Sequence, residues 1–208
     1  MGFRPGACVP TVEAINRLLL SFGGGQTHWE RIQSMKAILA QLALTIGGAV
    51  SSAAEPLVSP DVLIADTSVS KLERKALTLA PRRYDTFWNS GDERFAKAAL
   101  SRNFIDHTLP AGRAQGPEGA LMASRAFRAA VPDLSCEVEQ MIVAGDRVTA
   151  FLHFRGHFNG TFNGHAGQGQ AVDFLAIDIY RVAHNVITED WHLEDNLTLL
   201  RQLGIVAP

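Results

Sequence analysis

The chain has 208 residues, of which 47% are hydrophobic and 19% are charged, enough for one good core in an ordinary globular protein. Its formal net charge is −2 and its Lys and Arg residues are scattered, so the sequence gives no support for nucleic acid binding. The two cysteines, Cys8 and Cys136, are too few and too far apart to indicate a disulfide framework or a metal site.

Residues 35–54 have the order of a secretory signal peptide. Met35 and Lys36 form a short basic start, an apolar run follows, and small residues lead to a cleavage point after Ala53 or Ala54. The apolar run is shorter than the roughly 20 residues of a membrane-spanning helix, so no membrane span is expected. We therefore expect translation to begin at Met35 and the protein to be exported, to the periplasm or beyond. The intact mass of the secreted protein tests this, because a mass that includes the preceding residues would contradict it.

The segments on either side of this signal are expected to lie outside the fold. Residues 1–34 would be an upstream extension, and residues 55–71, which mix prolines, serines and acids without a clear period, would be a linker. The folded domain is then expected over residues 72–208. In the alternative interpretation, residues 37–50 form a buried helix of a cytoplasmic protein.

Helical patterns occupy the first part of the predicted domain. Residues 72–90 carry apolar side chains at helical spacing, and Pro81 is expected near the first turn of the stronger second half. Asp92 is placed to cap a short second helix. A third helix is expected to begin at Pro117 and to run to about Ala130.

After Pro132 the hydrophobic period becomes two, which predicts strands. Turns are expected at residues 144–146 and 183–185, and a Gly-rich excursion with two Asn-Gly pairs spans residues 159–170. Helices followed by a meander of antiparallel strands indicate an α+β fold, with helices covering one side of a curved sheet.

Asp178 is a charged residue in an otherwise apolar stripe. The stripe consists of Val172, Phe174, Ala176, Tyr180 and Val182. A carboxylate is costly to bury unless it is paired or lines a cavity, so we expect Asp178 to face a pocket. The alternative is an internal hydrogen bond, for example to Arg155 or Arg181.

The final strand carries a second acidic candidate. Strand alternation places Glu189, Trp191, Leu193 and Asp195 on one face, and a short helix follows. An apolar setting would raise the pKa of Asp195 towards the range of a general acid or base. Alternatively, Asp195 is only the N-cap of that helix. By strand parity His192 faces away from Asp195, unless the strand ends or bulges between them.

The sequence indicates no metal and no cofactor. His153 and His157 lie four residues apart in a predicted strand, about 13 Å, and therefore cannot share one ion. The chain has no H-E-x-x-H helix, no G-x-S-x-G elbow and no glycine loop that opens a helix.

Over about residues 82–205 the chain resembles the SnoaL-like polyketide cyclases, or ester cyclases, of the nuclear-transport-factor-2-like superfamily. The motifs that carry the resemblance are, in chain order, YDTFWNSGD, IDHTLP, GPEG, AVPDLSCEVEQMIVAGDRVTA, FRGHFNGTFNG, VDFLAIDIYRV and ITEDWHLEDNLTLLRQLG. No single motif is diagnostic, and their order and spacing together identify the family.

The resemblance implies a cone-shaped, mainly antiparallel curved sheet wrapped around three N-terminal helices and enclosing an apolar pocket. It implies ring closure in a polyketide ester by intramolecular aldol condensation, with an acidic residue as acid and base and without metal or cofactor. That role falls on Asp195, which closes the W-x3-D pattern, with Asp178, His107 or His192 orienting or polarising the carbonyl. His107 matches the family's Asp-His pair, whereas its neighbour Asp106 is expected to point the other way and to be solvated.

The expected substrate is a small or polycyclic carbonyl compound. The side chains expected to bind it are Glu189, Trp191, Tyr84, Trp88, Phe127 and Phe174. The sequence leaves two other functions open, a non-catalytic protein that binds a hydrophobic metabolite and a hydrolase or isomerase that uses the same acid. Members of the superfamily often pair through the open face of the sheet, so a homodimer is expected, and light scattering tests it.

Overall fold

The computed structural model describes residues 56–207. The chain divides into two units, and the described residues all lie in the second unit, Glu55–Pro208. The predicted upstream extension, residues 1–34, and the predicted signal peptide, residues 35–54, lie outside the described residues. Within residues 56–207 no helix is both long enough and apolar enough to cross a membrane.

Four helices and eight strands make up the described part of the chain. The helices are α1 (Lys71–Ser90), α2 (Glu93–Ala99), α3 (Pro117–Ala130) and α4 (Asn196–Gln202). The strands are β1 (Val62–Ala65), β2 (Leu100–Asp106), β3 (Ser135–Ala144), β4 (Arg147–Phe158), β5 (Thr161–Phe162), β6 (His165–Ala166), β7 (Gln170–Ala183) and β8 (Val186–Glu194). The predicted α+β class is confirmed, and three helices precede the long antiparallel strands as expected.

Six strands form one sheet in the order β1-β3-β4-β7-β8-β2, and β5 pairs with β6 in a separate hairpin. The three central pairs are antiparallel, whereas β1 and β2 join β3 and β8 as parallel edge strands. The register shifts in three of the pairs, β2–β8, β3–β4 and β7–β8. Such bulges bend strands and increase their twist, which lets the sheet curve around the helices.

The inner face of the sheet packs against α1, which contacts β3, β4, β7 and β8. The inward side chains of β4 and β7 alternate with outward ones, as the period of two predicted. The buried members of this face are Val148, Ala150, Leu152, Phe154, Val172, Phe174, Ala176, Asp178, Tyr180 and Val182.

Helix α1 is one continuous helix of 20 residues. It begins at the N-cap Ser70, whose hydroxyl accepts the N–H of Glu73 at 3.2 Å, and it ends at Gly91, whose φ of 76° suits glycine. The prediction that Pro81 lies near a first helical turn is wrong, because Pro81 lies in the interior of α1. An interior proline removes one hydrogen bond at a cost of about 3 kcal/mol, and the complete burial of Pro81 against the core offsets part of that cost.

Strand β1 lies in the stretch that was predicted to be a linker, residues 55–71. It joins the sheet parallel to β3. Just before β1, the carbonyl of Val58 accepts the Nε–H of Arg82 at 2.8 Å, and the N–H of Val58 donates to the Thr86 hydroxyl at 3.0 Å. The linker prediction is therefore wrong for this stretch, because it is bonded to α1 and to the edge of the sheet.

Candidate active site

A cavity of about 380 Å³ opens between α1, α3 and the inner face of the sheet. Its lining has an apolar wall and a polar end. The wall is formed mainly by Trp88, Phe127, Phe154, Phe162, Phe174 and Leu199. The polar end consists of Asp106, Arg113, Asp178, Asp190, His192 and Glu194, and these six residues are called the polar end below.

The apolar wall is a set of interlocking aromatic rings. Phe154 stacks on Phe174 with centroids 5.1 Å apart and 12° between the planes, and Phe127 meets Phe174 edge-on at 6.0 Å. Trp88 meets the edge of Phe154 at 6.2 Å. Among the residues expected to bind substrate, Trp88, Phe127 and Phe174 line the cavity, and so does Tyr84. Flat, polarisable walls of this kind suit an apolar ring compound.

A bulge in β8 decides which residues of the final strand face the cavity. Arg181 pairs with Glu189, but the next residue of β7, Val182, pairs with Ile187, so Thr188 is an extra residue on β8. One extra residue exchanges the two faces of a strand from that point on. The buried face therefore holds Ile187 before the bulge and the even-numbered residues after it.

Beyond the bulge, Asp190, His192 and Glu194 line the cavity. Glu189 and Trp191 lie on the opposite face, and the prediction that they line the pocket is wrong. The physical reason is the bulge, because strand parity counted through it assigns every later residue to the wrong side.

His107 also lies outside the cavity, contrary to its prediction as a site residue. Its Nε2 is 2.8 Å from Oε2 of Glu189, and its ring stacks on Trp191 with centroids 4.3 Å apart and 2° between the planes. The parallel pairing of β2 with β8 places Asp106 beside Asp190. Asp106 therefore takes the inner side, and His107, the next residue, takes the outer side.

Asp195 is the N-cap of α4. Its carboxylate accepts the backbone N–H of Thr198 at 3.0 Å and the Thr198 hydroxyl at 2.7 Å. These two hydrogen bonds lower the pKa of Asp195, whose side chain is exposed. The prediction that Asp195, Asp178 and Trp191 line one cavity is wrong, because only Asp178 does so. The alternative prediction, that Asp195 is the N-cap of the helix that follows, is correct.

Asp178 is the predicted carboxylate that does face the cavity. It is 6% exposed, and burial raises its pKa to about 6 against the opposing effect of a hydrogen bond from Tyr180. The alternative partners considered for it, Arg155 and Arg181, pair with other acids. Such a carboxyl is mainly ionised at neutral pH and is a stronger base than an exposed aspartate.

His192 is held between two carboxylates. Its Nε2 lies 3.1 Å from both oxygens of Asp106, and its Nδ1 lies 2.7 Å from Oε1 of Glu194. Burial acts to lower the pKa of His192, but these hydrogen bonds outweigh burial and raise the pKa to about 10. At neutral pH the ring is therefore an imidazolium that donates from both nitrogens.

The pKa values of the two carboxylates that hold His192 are shifted in the opposite direction to its own. Burial acts to raise the pKa of Asp106 and of Glu194, but the hydrogen bond and charge of His192 outweigh it and lower both. Arg113 adds a second positive charge, 3.9 Å from Oδ2 of Asp106. The polar end therefore contains a fixed network of charges on one side of Asp178.

Tyr180 links Asp178 to a deeper acid, Asp85. Its hydroxyl lies 2.7 Å from Oδ2 of Asp178 and 2.8 Å from Oδ1 of Asp85. A phenol has one hydrogen and can donate to only one of them, so the other contact requires a protonated carboxyl. Asp85 is 0% exposed and burial raises its pKa well above the ordinary value, so Asp85 holds that proton and Tyr180 donates to Asp178.

Sequence reasoning missed Asp85, Asp106, Asp190, Glu194 and Arg113. Two of them carried a usable signal in the sequence. Phe104 and Asp106 share one face of β2, and Phe104 is buried, so parity alone predicts Asp106 inward. Asp85 lies one helical turn from the buried Pro81 and belongs to the same stripe.

Comparison with known proteins adds a family and a set of related structures. A model described as SnoaL-like polyketide cyclase matches residues 78–203. A candidate polyketide cyclase from Bacillus cereus is 43% identical, with a TM-score of 0.67 over 74% of this chain and 97% of its own. Among functionally curated proteins none is significantly similar to the chain.

Two Streptomyces structures extend the comparison at lower identity. TsrD from Streptomyces laurentii is 28% identical, with a TM-score of 0.59 over 65% of this chain and 100% of its own. IdmH from Streptomyces antibioticus, a candidate polyketide cyclase, is 26% identical, with a TM-score of 0.57 over 62% of this chain and 98% of its own.

Proposed function

Because the chain belongs to the SnoaL-like polyketide cyclase family, we propose that it is an enzyme that performs acid/base chemistry on a small or polycyclic carbonyl compound. The reaction needs no cofactor, since a carboxylate alone can move the proton. The substrate class is supported by the aromatic wall, and the chemistry is supported by the polar end.

The observation that carries this proposal is the buried Asp178 carboxyl in the cavity, with a pKa of about 6. A general base works best when its pKa lies near the working pH, because it is then both ionised and basic enough to take a proton. Asp195 lacks these features, since its carboxylate is exposed and bonded to its own helix. The acid/base role therefore passes from Asp195 to Asp178.

In the proposed reaction, ionised Asp178 accepts a proton from the carbon next to a substrate carbonyl. The electrons of that C–H bond form the C=C bond of an enolate, and the negative charge moves to the carbonyl oxygen. In ring closure the enolate carbon then bonds to a second carbonyl carbon of the same molecule. The oxygen of that carbonyl takes the charge and accepts the proton back from Asp178, which returns to its ionised form.

His192 and Arg113 supply positive charge to this step. Each is held by Asp106, His192 through its Nε2 and Arg113 at 3.9 Å. Charges that are already in place stabilise a developing oxyanion without reorganisation at the moment of reaction. His192 keeps its proton at neutral pH because its pKa is about 10, so it acts here by its field and does not act as the base.

The experiment is proton exchange followed by NMR in D₂O, with a panel of aryl ketones and keto esters whose uncatalysed exchange is slow. Wild-type protein should remove the signal of the proton next to the carbonyl of a compound that fits. Asp178→Asn should lower that rate by about 10² to 10⁴, the usual contribution of a general base. Asp195→Asn is the matched control and should leave the rate nearly unchanged. Wild-type exchange in Asp178→Asn would refute the proposed base.

Two further candidates use the same cavity. A non-catalytic carrier is favoured by the aromatic wall, which would bind an apolar ring compound whether or not chemistry follows. Native mass spectrometry of purified protein separates the two, because a carrier retains an unchanged ligand in both wild type and Asp178→Asn. The other candidate, a hydrolase or isomerase with the same base, would form a product that the same spectra identify.

A further inference from the structure

Asp190 is a buried acid with an unpaired side-chain oxygen among the described residues. Its side chain is 2% exposed and lines the cavity. Within residues 56–207 its Oδ1 is buried and has no hydrogen-bond partner. Its backbone carbonyl accepts the N–H of His107 at 2.9 Å. A buried carboxylate left unpaired costs several kcal/mol, so this group is either neutral or completed by a ligand.

The groups around Asp190 on the sheet are mostly acidic. Asp190 lies opposite Tyr180 on β7 and Asp106 on β2, and the neighbouring cross-strand pair is Asp178 with His192. Burial and then the charge of Asp178 raise the pKa of Asp190 well above its ordinary value, and the attraction of His192 is too weak to cancel them.

The remaining groups that face Asp190 do not supply a counter-charge. From α1, burial raises the pKa of Asp85 and of Tyr84 well above their ordinary values, and neither group adds a positive charge. Arg113 is the second cation of the polar end, and the acid it contacts is Asp106. Burial, the neighbouring acids and the lack of a cation of its own favour the neutral carboxyl form of Asp190 over the ionised form. In that form it carries an O–H donor, and among residues 56–207 Oδ1 has no hydrogen-bond partner.

The spacing of Asp178 and Asp190 fits one functional group of a substrate. They are diagonal neighbours on an antiparallel pair, for which the separation is roughly 7–8 Å at the backbone and less between side chains. Both side chains line the same cavity. A carbonyl compound places its oxygen and its acidic C–H on adjacent carbons, so one carboxyl can take the proton while the other bonds to the oxygen.

We infer that Asp190 is a second catalytic residue, a neutral carboxyl group that donates a hydrogen bond to the substrate oxygen on which the enolate charge develops. This inference rests on the proposed function and deepens it. It divides the work between two neighbouring acids, with Asp178 as the base and Asp190 as the oxyanion donor. It also narrows the substrate to a ketone or ester whose enolate oxygen is free to accept that bond.

Paired substitutions at Asp190 test the inference. Asp190→Asn has nearly the same size and keeps an N–H donor, whereas Asp190→Ala has none. Asp190→Ala should lower kcat by about 10² to 10³ with little change in KM, the usual cost of losing one oxyanion donor. Asp190→Asn should lower kcat far less. At Asp178 the asparagine variant should not retain activity in this way, because it too has lost the base.

Binding of a planar phenol to the Asp178→Asn protein gives a second readout that needs no turnover. A phenol presents an oxygen like that of an enolate, so its Kd should rise at least about tenfold when Asp190→Ala is added and much less when Asp190→Asn is added. Asp178→Asn could retain turnover while phenol binding still depends on Asp190 in this way. That result would refute Asp178 as the base and would support Asp190 as the hydrogen-bond donor.

Three results would overturn the inference. Equal losses in Asp190→Asn and Asp190→Ala would mean that an ionised carboxylate is needed. Wild-type behaviour in both variants would mean that Asp190 does not touch the substrate. Tighter binding of an aryl ammonium than of the phenol, lost in Asp190→Asn, would assign the group to cation recognition.

Discussion

Asp178 and His192 lie directly opposite each other on the antiparallel strands β7 and β8, and both side chains line the cavity. Burial raises the pKa of Asp178 to about 6, whereas hydrogen bonds to two carboxylates overcome burial and raise the pKa of His192 to about 10. At neutral pH a carboxylate therefore faces an imidazolium. The histidine retains its proton, which leaves Asp178 as the base of the pair.

The hydroxyl of Tyr180 should set the pH at which Asp178 becomes active. Tyr180→Phe removes a hydrogen bond that stabilises the ionised form of Asp178, so the pKa of Asp178 should rise further. Activity needs the ionised form, so the acid limb of the kcat/KM profile should move upward, by on the order of one pH unit. The pH profile of exchange measures this shift.

Asp85→Asn is the matched variant for this test. The asparagine keeps an N–H that can donate to the Tyr180 oxygen, as the protonated Asp85 does. The acid limb should therefore move less than it does in Tyr180→Phe. An unchanged limb in Tyr180→Phe would show that the Asp85–Tyr180–Asp178 chain does not control the base.

The charge on His192 should make stability depend on pH. Its folded pKa of about 10 lies above the ordinary 6.5, so its bound proton stabilises the fold fully below pH 6.5 and this stabilisation is lost as the pH rises towards 10. Across that window the free energy of unfolding should fall by a few kcal/mol more in wild type than in His192→Gln. Urea unfolding at several pH values measures the difference.

The control for this measurement is His157→Gln, which changes a histidine whose side chain is 56% exposed and paired with Asp133. It should keep the pH dependence of wild type, because exposed pairs contribute little to stability. Parallel curves for wild type and His192→Gln would show that His192 is not held as an imidazolium in the folded state.

The cap at Asp195 should matter for stability and not for catalysis. Asp195→Ala removes the acceptor for Thr198 and should lower the free energy of unfolding by about 0.5–2 kcal/mol. Asp195→Ser keeps a good cap and should lose much less. Thermal unfolding together with the exchange assay separates the two roles. A large loss of proton exchange in a folded Asp195→Ser protein would show that Asp195 takes part in catalysis.

The small side chain of Ala123 should set the size of ligand that the cavity accepts. Ala123 on α3 lines the cavity, and Ala123→Leu would fill part of its volume of about 380 Å³. Polycyclic ligands should lose at least about tenfold in affinity, because overpacking costs about 1–3 kcal/mol, while single-ring ligands are affected less. Met122→Leu changes the exposed neighbouring residue and is the control for calorimetric titration. Equal losses for both ligand sizes would contradict the claim that Ala123 sets the size of ligand that the cavity accepts.

The sequence predicted the parts of the fold that follow a regular period. The buried face of β7 and the exceptional position of Asp178 within it could be read directly, because alternation along that strand is unbroken. The pairing of β1 with the sheet could not, since four residues between prolines and serines resemble an extended linker.

The site on β8 could not be predicted in the same way. Nothing in the sequence around Thr188 marks it as the extra residue of a bulge. The bulge nevertheless places Asp190 and His192 in the cavity and Trp191 outside it. Bulges are set by the pairing of whole strands, which a single strand does not reveal. A site that depends on one bulge is therefore visible only once the register is known.

The central claim is that Asp178 titrates near neutrality in the cavity, and a direct measurement of its pKa tests it. Carbon-13 NMR of protein labelled at aspartate carboxyls follows the titration, and the resonance missing from Asp178→Asn assigns the signal. The structure leads to a pKa of about 6 for Asp178, raised by burial from the ordinary 3.8. A pKa at the ordinary value would contradict the account, because Asp178 would then be no stronger a base than a surface aspartate.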